Sequence, residues 1–424
     1  MSFSVTKRKS LAVPRIRPPR QTCFALAFSL SLCSFATATE ITLDRAVERA
    51  LALAQFDELR AAAASEADGR LRSARALPNP SLFYERESLG GSTGDFRETT
   101  AGVTMPLDFI WKRAARIDAA QSQSEIALLQ LEDHRRRIVR EVSSLFVEHA
   151  ATTEEAARYE SAHDAMERAR RIALAVTREG DAPESLLRRV DLSISRYGFE
   201  EAGIEARRQE IQSRLESLVG LENLSPDSSV FTLDRPEFSS AAGAQETALA
   251  ERPDLRVAEM LLAWKRAELR VARNEGRPSA SLQAGHKEDN SGRDGFIIGL
   301  TVELPIFDRN QGGAQVSKAE AVRAEVSHGR ARRIVEAEAR SAYVRWNQLN
   351  EQWRRLTAPE PSDNAEAFLK STLASFEAGE SSLIEYLDAV ETYLEAWGDQ
   401  IQLQEARRRA AIELAYATAA NIQR

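Results

Sequence analysis

In residues 296–306, FIIGLTVELPI, apolar side chains recur at every second position. Phe296, Ile298, Leu300, Val302, Leu304 and Ile306 share one face, while Ile297, Gly299, Thr301, Glu303 and Pro305 share the other. A period of two predicts a strand, and the run matches the roughly 9–11 residues that a tilted strand needs to cross a bilayer. The stretch TTAGVTMPLDF repeats the pattern more weakly, with Ala101, Val103, Met105 and Leu107 against Gly102, Thr104 and Pro106. Strands are therefore expected over about 80–88 and 97–107, and again over about 279–287 and 295–306. Taken alone, such alternation also suits a soluble sheet with one face on a core.

A different period follows each strand pair. Residues 112–178 keep helical spacing without interruption, which at 1.5 Å per residue extends roughly 100 Å. The return helix, from Pro183 to about residue 222, carries Val190, Ile194, Tyr197, Ile204, Ile211, Leu215 and Leu218 at steps of three, four or seven, as in a coiled coil. In the second half, a helix over about 312–378 shows Val335, Ala339, Ala342, Trp346, Leu349, Trp353 and Leu356, with a break expected near Pro359 and Pro361. Its return, over about 381–422, shows Leu383, Leu387, Val390, Leu394, Trp397 and Ile401. Rods this long with seams this narrow cannot wrap a globular core and must pack side by side.

The two halves are copies. Gly198 precedes Glu205-Ala206-Arg207-Arg208 as Gly398 precedes Glu405-Ala406-Arg407-Arg408, and the same offset of 200 pairs Pro78, Ser81 and Leu82 with Pro278, Ser281 and Leu282. Each copy runs helix, strand, loop, strand, long helix, tight turn, long helix. The first occupies 39–222 and the second 244–424; residues 223–243, rich in proline and serine, read as a connector.

Composition narrows the setting. Lys7, Arg8, Lys9, Arg15, Arg17 and Arg20 precede a short apolar run and Ala36-Thr37-Ala38, so residues 1–38 read as an export signal peptide with an A-x-A cleavage site. Both cysteines, Cys23 and Cys33, lie inside this leader; Leu32 stands where a lipid-anchor site wants a small residue. Without those six basic residues the net charge moves from −7 to −13, an unsuitable balance for nucleic acid. No later run approaches 18 consecutive apolar residues, so no transmembrane helix is expected.

Four strands from one chain cannot close a membrane barrel, whose smallest form has eight. An open sheet in lipid would leave backbone groups unpaired, so strands that cross a membrane must be pooled among several chains. Pro106 and Pro305 would then end ladder pairing at the membrane rim, with Phe109, Trp111 and Phe307 beside them as interfacial aromatics. Gly180 and Gly379, between Glu179 and Asp181 and between Ala378 and Glu380, fall where long helices must reverse. Glu385 and Asp388 share a helical face just past the second turn, where the first copy has Ser185 and Arg188.

The duplicated LRAA and LRVA helices, the strand ends MPLDF and LPIFDRNQGG, and the tip FEAGESSLIEYLDAVETYLEA together resemble the TolC family of outer-membrane efflux ducts over essentially the whole exported chain. LPIFDRNQGG is most similar to the branch that serves cobalt-zinc-cadmium resistance. The resemblance implies a mainly α protein with a small β part, in which a homotrimer closes a twelve-stranded outer-membrane β-barrel in contact with lipid and a periplasmic α-helical barrel. It implies a passive duct rather than an enzyme, served by an inner-membrane resistance-nodulation-division transporter and a periplasmic adaptor that docks at the helix tips. Glu385 and Asp388 match, by the same resemblance, a periplasmic gate of carboxylates whose crowding would raise some of their pKa values.

No catalytic motif, cofactor-binding loop or metal-ligand spacing is present; the histidines are scattered and methionine is scarce. A second reading, a soluble periplasmic coiled-coil scaffold, is separated from the duct by whether Leu300 faces lipid.

Overall fold

The computed structural model describes residues 39–92, 94–180, 183–227, 238–356 and 361–420, all within one compact unit, Ala38–Arg424. The expected export leader with Cys33, Asp181 at the expected first tip and Pro359 of the expected helix break lie outside the described residues.

The element order is β1 (Thr39–Ile41), α1 (Leu43–Leu53), α2 (Phe56–Arg75), β2 (Ser81–Gly91), β3 (Gly94–Pro106), α3 (Phe109–Glu179), α4 (Glu184–Val219) and β4 (Leu224–Pro226). The second copy supplies α5 (Ala241–Glu251), α6 (Pro253–Glu275), β5 (Ser279–Asp289), β6 (Asp294–Glu303), α7 (Gln311–Leu356), α8 (Pro361–Glu377) and α9 (Leu383–Thr418). The opening helix of each copy is two helices rather than one. Gln55 takes a left-handed φ of 50° between α1 and α2, and Pro253, at the first position of α6, has no N–H to continue α5. The buried Arg252 secures that second break, forking to both Asp254 oxygens at 2.9 and 2.6 Å and reaching Glu338 on α7 at 2.6 Å. Burial opposes this charge, but the two carboxylates outweigh it and raise the guanidinium pKa.

β2, β3, β5 and β6 form one antiparallel sheet in that order, with Leu82 opposite Val103, Val103 opposite Ala284 and Leu282 opposite Leu300. Pairing passes Pro106 by one residue, because Pro106 faces Ser281 without needing to donate and the Leu107 N–H reaches Ala280 O at 2.7 Å. In the second copy the strand stops at Glu303, short of Ile306, and the Ile306 N–H turns back to Leu304 O at 2.9 Å. The expected connector also holds regular structure: β4 pairs parallel with β1, Thr39 opposite Leu224.

The helices continue the strand order. α2 packs on α3, α3 on α6 and α6 on α7, so the row α2-α3-α6-α7 prolongs β2-β3-β5-β6. Further from the sheet the row becomes α4-α3-α9-α8. α3 spans 71 residues, about 105 Å of helix. Near its middle, Val142, Phe146 and Leu145 bury against Ile41, Val47, Leu215, Leu224 and Ile412. Toward the tips, Ala162, Ala165, Ala169 and Ala173 make a seam of small residues that admits Val190 and Tyr197 of α4 and Tyr386 and Val390 of α9.

Candidate functional site: wall, rim and helix tips

The sheet has two faces of different chemistry. Directly opposed residues share a face, so Leu82, Tyr84, Val103, Leu282, Ile298 and Leu300 lie together. All are exposed, Leu300 at 65% and Phe296 at 92%. On the other face lie Glu85, Thr104, Gln283, Thr301 and Glu303, and Lys287 meets Glu98 at 2.5 Å. A bare apolar face on a thin sheet, with no layer packed over it among the described residues, suits lipid rather than water.

At the rim, Phe307 is 93% exposed, as are, to a lesser degree, Ile110, Leu304 and Ile306. Pro106 and Pro305 adjoin the strand-to-helix turns. Trp111 differs: its Nε1 is buried without a hydrogen-bond partner, and its carbonyl accepts from Asn274 Nδ2 at 3.1 Å, tying α3 to α6. The side chains that hold this joint are not among the residues expected to form the rim. Asn310, at a left-handed φ of 52°, donates from Nδ2 to Ala272 O and to Glu275 Oε2, each at 3.0 Å, and so fastens the turn into α7 onto the end of α6. In the first copy Arg113 Nε donates to Arg75 O at 2.9 Å and does the same for α2. The signal was the Arg-Asn pair between a strand and a helix, a place where asparagine favours positive φ.

At the tips, Gly180 (φ 88°) and Gly379 (φ 76°) take left-handed turns as the next helices begin. Glu380 N donates to Ser375 O at 2.8 Å and Gly379 N to Phe376 O at 3.1 Å, closing the end of α8 beside Ala378, while Glu179 ends α3. Glu385 completes a capping box: its Oε2 accepts from the Ser382 N–H at 2.7 Å, and its own N–H donates to Ser382 Oγ at 3.3 Å. The Ser382 N–H first, and then the Ser382 hydroxyl, which donates to the same Oε2 at 3.0 Å, hold its carboxyl below the usual range. This opposes the rise that crowding in a gate implies. Asp388 stands exposed one turn on, on the same side of α9. Behind this face Tyr386 is fully buried, donates to Ala165 O at 3.2 Å and stacks on Phe376; burial pushes its phenol up to about 12. The matching part of the first copy carries an Arg188–Glu184 pair at 3.1 Å instead of two acids.

Among the described residues no group of three His, Cys, Asp or Glu is placed to hold a metal, and no helix is long and apolar enough to cross a membrane.

Comparison with known proteins places this arrangement. A family model described as "Outer membrane efflux protein" matches residues 245–420. The cobalt-zinc-cadmium resistance protein CzcC of Cupriavidus metallidurans is 30% identical over 375 residues, which cover 82% of this chain and 84% of CzcC. The chain belongs to the outer membrane efflux protein family. This is the TolC family, in the branch of the metal-resistance proteins. The fold of this efflux protein is shared with a membrane protein from Pseudomonas aeruginosa (TM-score 0.70, 19% identity, 89% of this chain and 93% of that one). It is shared equally with CusC (TM-score 0.69, 17% identity, 89% and 91%). The efflux protein is an outer-membrane channel component with a periplasmic helical extension and not an enzyme, and membership sets aside the soluble scaffold.

Proposed function

We propose that three copies of this efflux protein pool their sheets into one twelve-stranded barrel and their helices into a tunnel, forming a passive duct for divalent metal cations. The observation that carries this reading is the incomplete sheet: among the described residues it has four strands with free edges at β2 and β6, one face apolar and exposed and the other more polar. Four strands cannot enclose a pore, and unpaired edges in lipid cost several kcal/mol per backbone group, so closure must come from further copies. Support for three is the family likeness. Support for metal cargo is the likeness to CzcC, with organic toxicants as the competing cargo.

In this reading an inner-membrane resistance-nodulation-division transporter and a periplasmic adaptor deliver cargo to the tips. Glu179, Gly180, Asp181, Ala378, Gly379 and Glu380 meet the adaptor, while Glu385 and Asp388 of each copy ring the periplasmic entrance. Pro106, Trp111, Pro305 and Phe307 mark the periplasmic, strand-to-helix rim of the barrel.

Two neighbouring substitutions test the wall. Leu300→Arg puts a charge on the lipid face at a cost of about 2–4 kcal/mol per chain near mid-membrane and abolishes heat-modifiable oligomers in the outer-membrane fraction. Thr301→Arg, one residue on but facing the lumen, inserts normally. Equal behaviour of the two variants, or recovery of the exported chain as a soluble monomer without detergent, refutes the barrel. For cargo, a strain lacking the gene is expected to become sensitive to cobalt, zinc or cadmium and not to organic dyes.

A further inference from the structure

Gly102 and Gly285 face each other across β3 and β5, the seam where the two copies of the repeat join. Opposed residues in an antiparallel pair normally keep their Cβ atoms about 4.5–5.5 Å apart. Here there is no room for either one. A Cβ on Gly102 would lie 2.7 Å from Gly285 Cα and closer still to the Ala284 carbonyl oxygen. A Cβ on Gly285 would lie 2.6 Å from Ala101 O and 3.1 Å from Gly102 Cα. The obstacles are backbone atoms, which cannot swing aside as a flexible side chain does.

Side chains converge on the concave side of a bent sheet and diverge on its convex side. The glycine pair therefore marks the concave side. It is the same face that carries Glu85, Thr104, Gln283 and Lys287, whereas Val103, Leu282, Ile298 and Leu300 lie on the convex one. The crowding at the glycine pair and the polar residues of this face are separate observations, and both fit the face that looks into the pore in the barrel reading. Phe83, opposite Gly102 on β2, lays its ring over the crease, its Cε1 2.7 Å from where a Gly102 Cβ would stand. The neighbouring glycine of the same face shows the contrast: a Cβ on Gly299 would touch only the Gln283 side chain, at 3.4 Å or more. Space for a side chain is thus missing at the seam and present one row away.

We propose that Gly102 and Gly285 form a crease that sets the curvature of the barrel wall, so that each copy bends its sheet through the arc needed for closure. The inference rests on the barrel reading above. Glycine kinks are a known means of bending a sheet toward closure, and here the glycine pair falls at the middle of the four-stranded segment, between its two hairpins. A methyl group at either position forces β3 and β5 apart and straightens the wall. The strand edges β2 and β6 then leave the chain at the wrong angle to meet those of the next copies.

The test compares Gly102→Ala, Gly285→Ala and Gly299→Ala in the full-length chain, reading heat-modifiable oligomer in the outer-membrane fraction and helix content by circular dichroism. The two seam variants are expected to lose oligomer by at least about fivefold relative to Gly299→Ala, the low end of what overpacking a closed contact costs. Their helix content should match the parent, because the crease touches no helix. Equal oligomer yields in all three variants, high or low, overturn the crease, as does a loss of helix content in the seam variants. Phe83→Ala with Gly102→Ala should not rescue assembly, since the backbone obstacles persist; rescue would assign the effect to the ring and overturn the crease. The parent chain is the control for the barrel itself: oligomers in the parent together with equal variants discard the crease and leave the barrel standing, whereas an absence of oligomers in the parent discards the barrel.

Discussion

Glu385 closes a capping box and, in the proposed gate, would also supply charge, and substitutions can separate the two. Its carboxylate closes the capping box at the start of α9, yet it also stands on the exposed face with Asp388. Glutamine completes a capping box as glutamate does. Glu385→Gln with Asp388→Asn therefore removes the charge and keeps the helix start, and it is expected to raise single-channel conductance or weaken block by divalent cations in planar bilayers. Ser382→Ala does the reverse, costing about 1 kcal/mol of helix stability while leaving the charge in place, and conductance should hold. A conductance that follows the cap instead of the charge refutes the gate. Further up α3, His149 is only 5% exposed and its Nδ1 has no partner. Burial, aided by the nearby Arg208 charge, lowers its pKa to about 4 from the usual 6.5. The unfolded chain thus binds a proton in the window from about 6.5 down to 4 that the folded chain refuses, so the stability this neutral ring contributes is complete above the window and is lost as pH falls through it. The loss is about 2 kcal/mol after allowance for partial solvent access. His149→Gln should flatten that part of the pH profile of thermal unfolding, and an unchanged profile would assign the slope elsewhere.

The elements differ in how plainly the chain announces them. Alternation at residues 296–306 and steps of three and four from Val190 to Leu218 are long enough to declare a strand and a rod; the rod is α4, and the strand, β6, ends at Glu303 before the alternation does. β1 and β4 have three residues each, too few for any period to emerge, and they exist because Ile41 and Leu224 bury together against α3. The turn at Gln55 carries no glycine or proline, so nothing local signals it. Ser382 and Glu385 do spell a capping box three residues apart, but two acids near a turn invite the gate reading first. Asn310 and Arg113 escape notice because their partners, Ala272 and Arg75, are carbonyls at the ends of other helices, and only the fold brings them near. The alanine seam of α3 is the element whose purpose shows least in sequence. Ala162, Ala165, Ala169 and Ala173 look like generic helix formers, yet each is at most 2% exposed, and they set how closely the two hairpins approach. Ala169→Leu overpacks that seam and should destabilise the protein by about 1–3 kcal/mol in chemical unfolding, while leucine at the exposed Ser161 should change nothing. Comparable loss at both positions would mean that the seam is not a closed contact.

At the scale of the molecule, the row α4-α3-α9-α8 ends on two flanks that the protomer leaves bare. On α4, Leu192 and Phe199, seven residues apart and so on one side of the helix, are exposed, Phe199 at 80%. On the opposite flank Leu356 of α7 and Phe368 of α8 are exposed as well. Their levels correspond: Tyr197 of α4 meets Tyr159, and the adjacent Arg158 both pairs with Glu366 of α8 at 3.2 Å and lies over Trp397, so the regions of Phe199 and Phe368 sit at one height on the rod. A tunnel that closes by repeating this row would bring the α4 flank of one copy against the α8 flank of the next and hide both aromatic side chains. Burying a phenylalanine is worth about 1.5–3 kcal/mol, and in the proposed trimer three such seams would act together in one ring. Phe199→Asp removes that gain and places a charge where water is excluded, so the oligomer should come apart at a lower temperature on heated gels. The protomer's own helix content should not change, because Phe199 is 80% exposed in it. Dissociation at the parent's temperature would mean that the α4 flank faces solvent in the assembly, and that the helices close their ring along some other line than the one the strands follow.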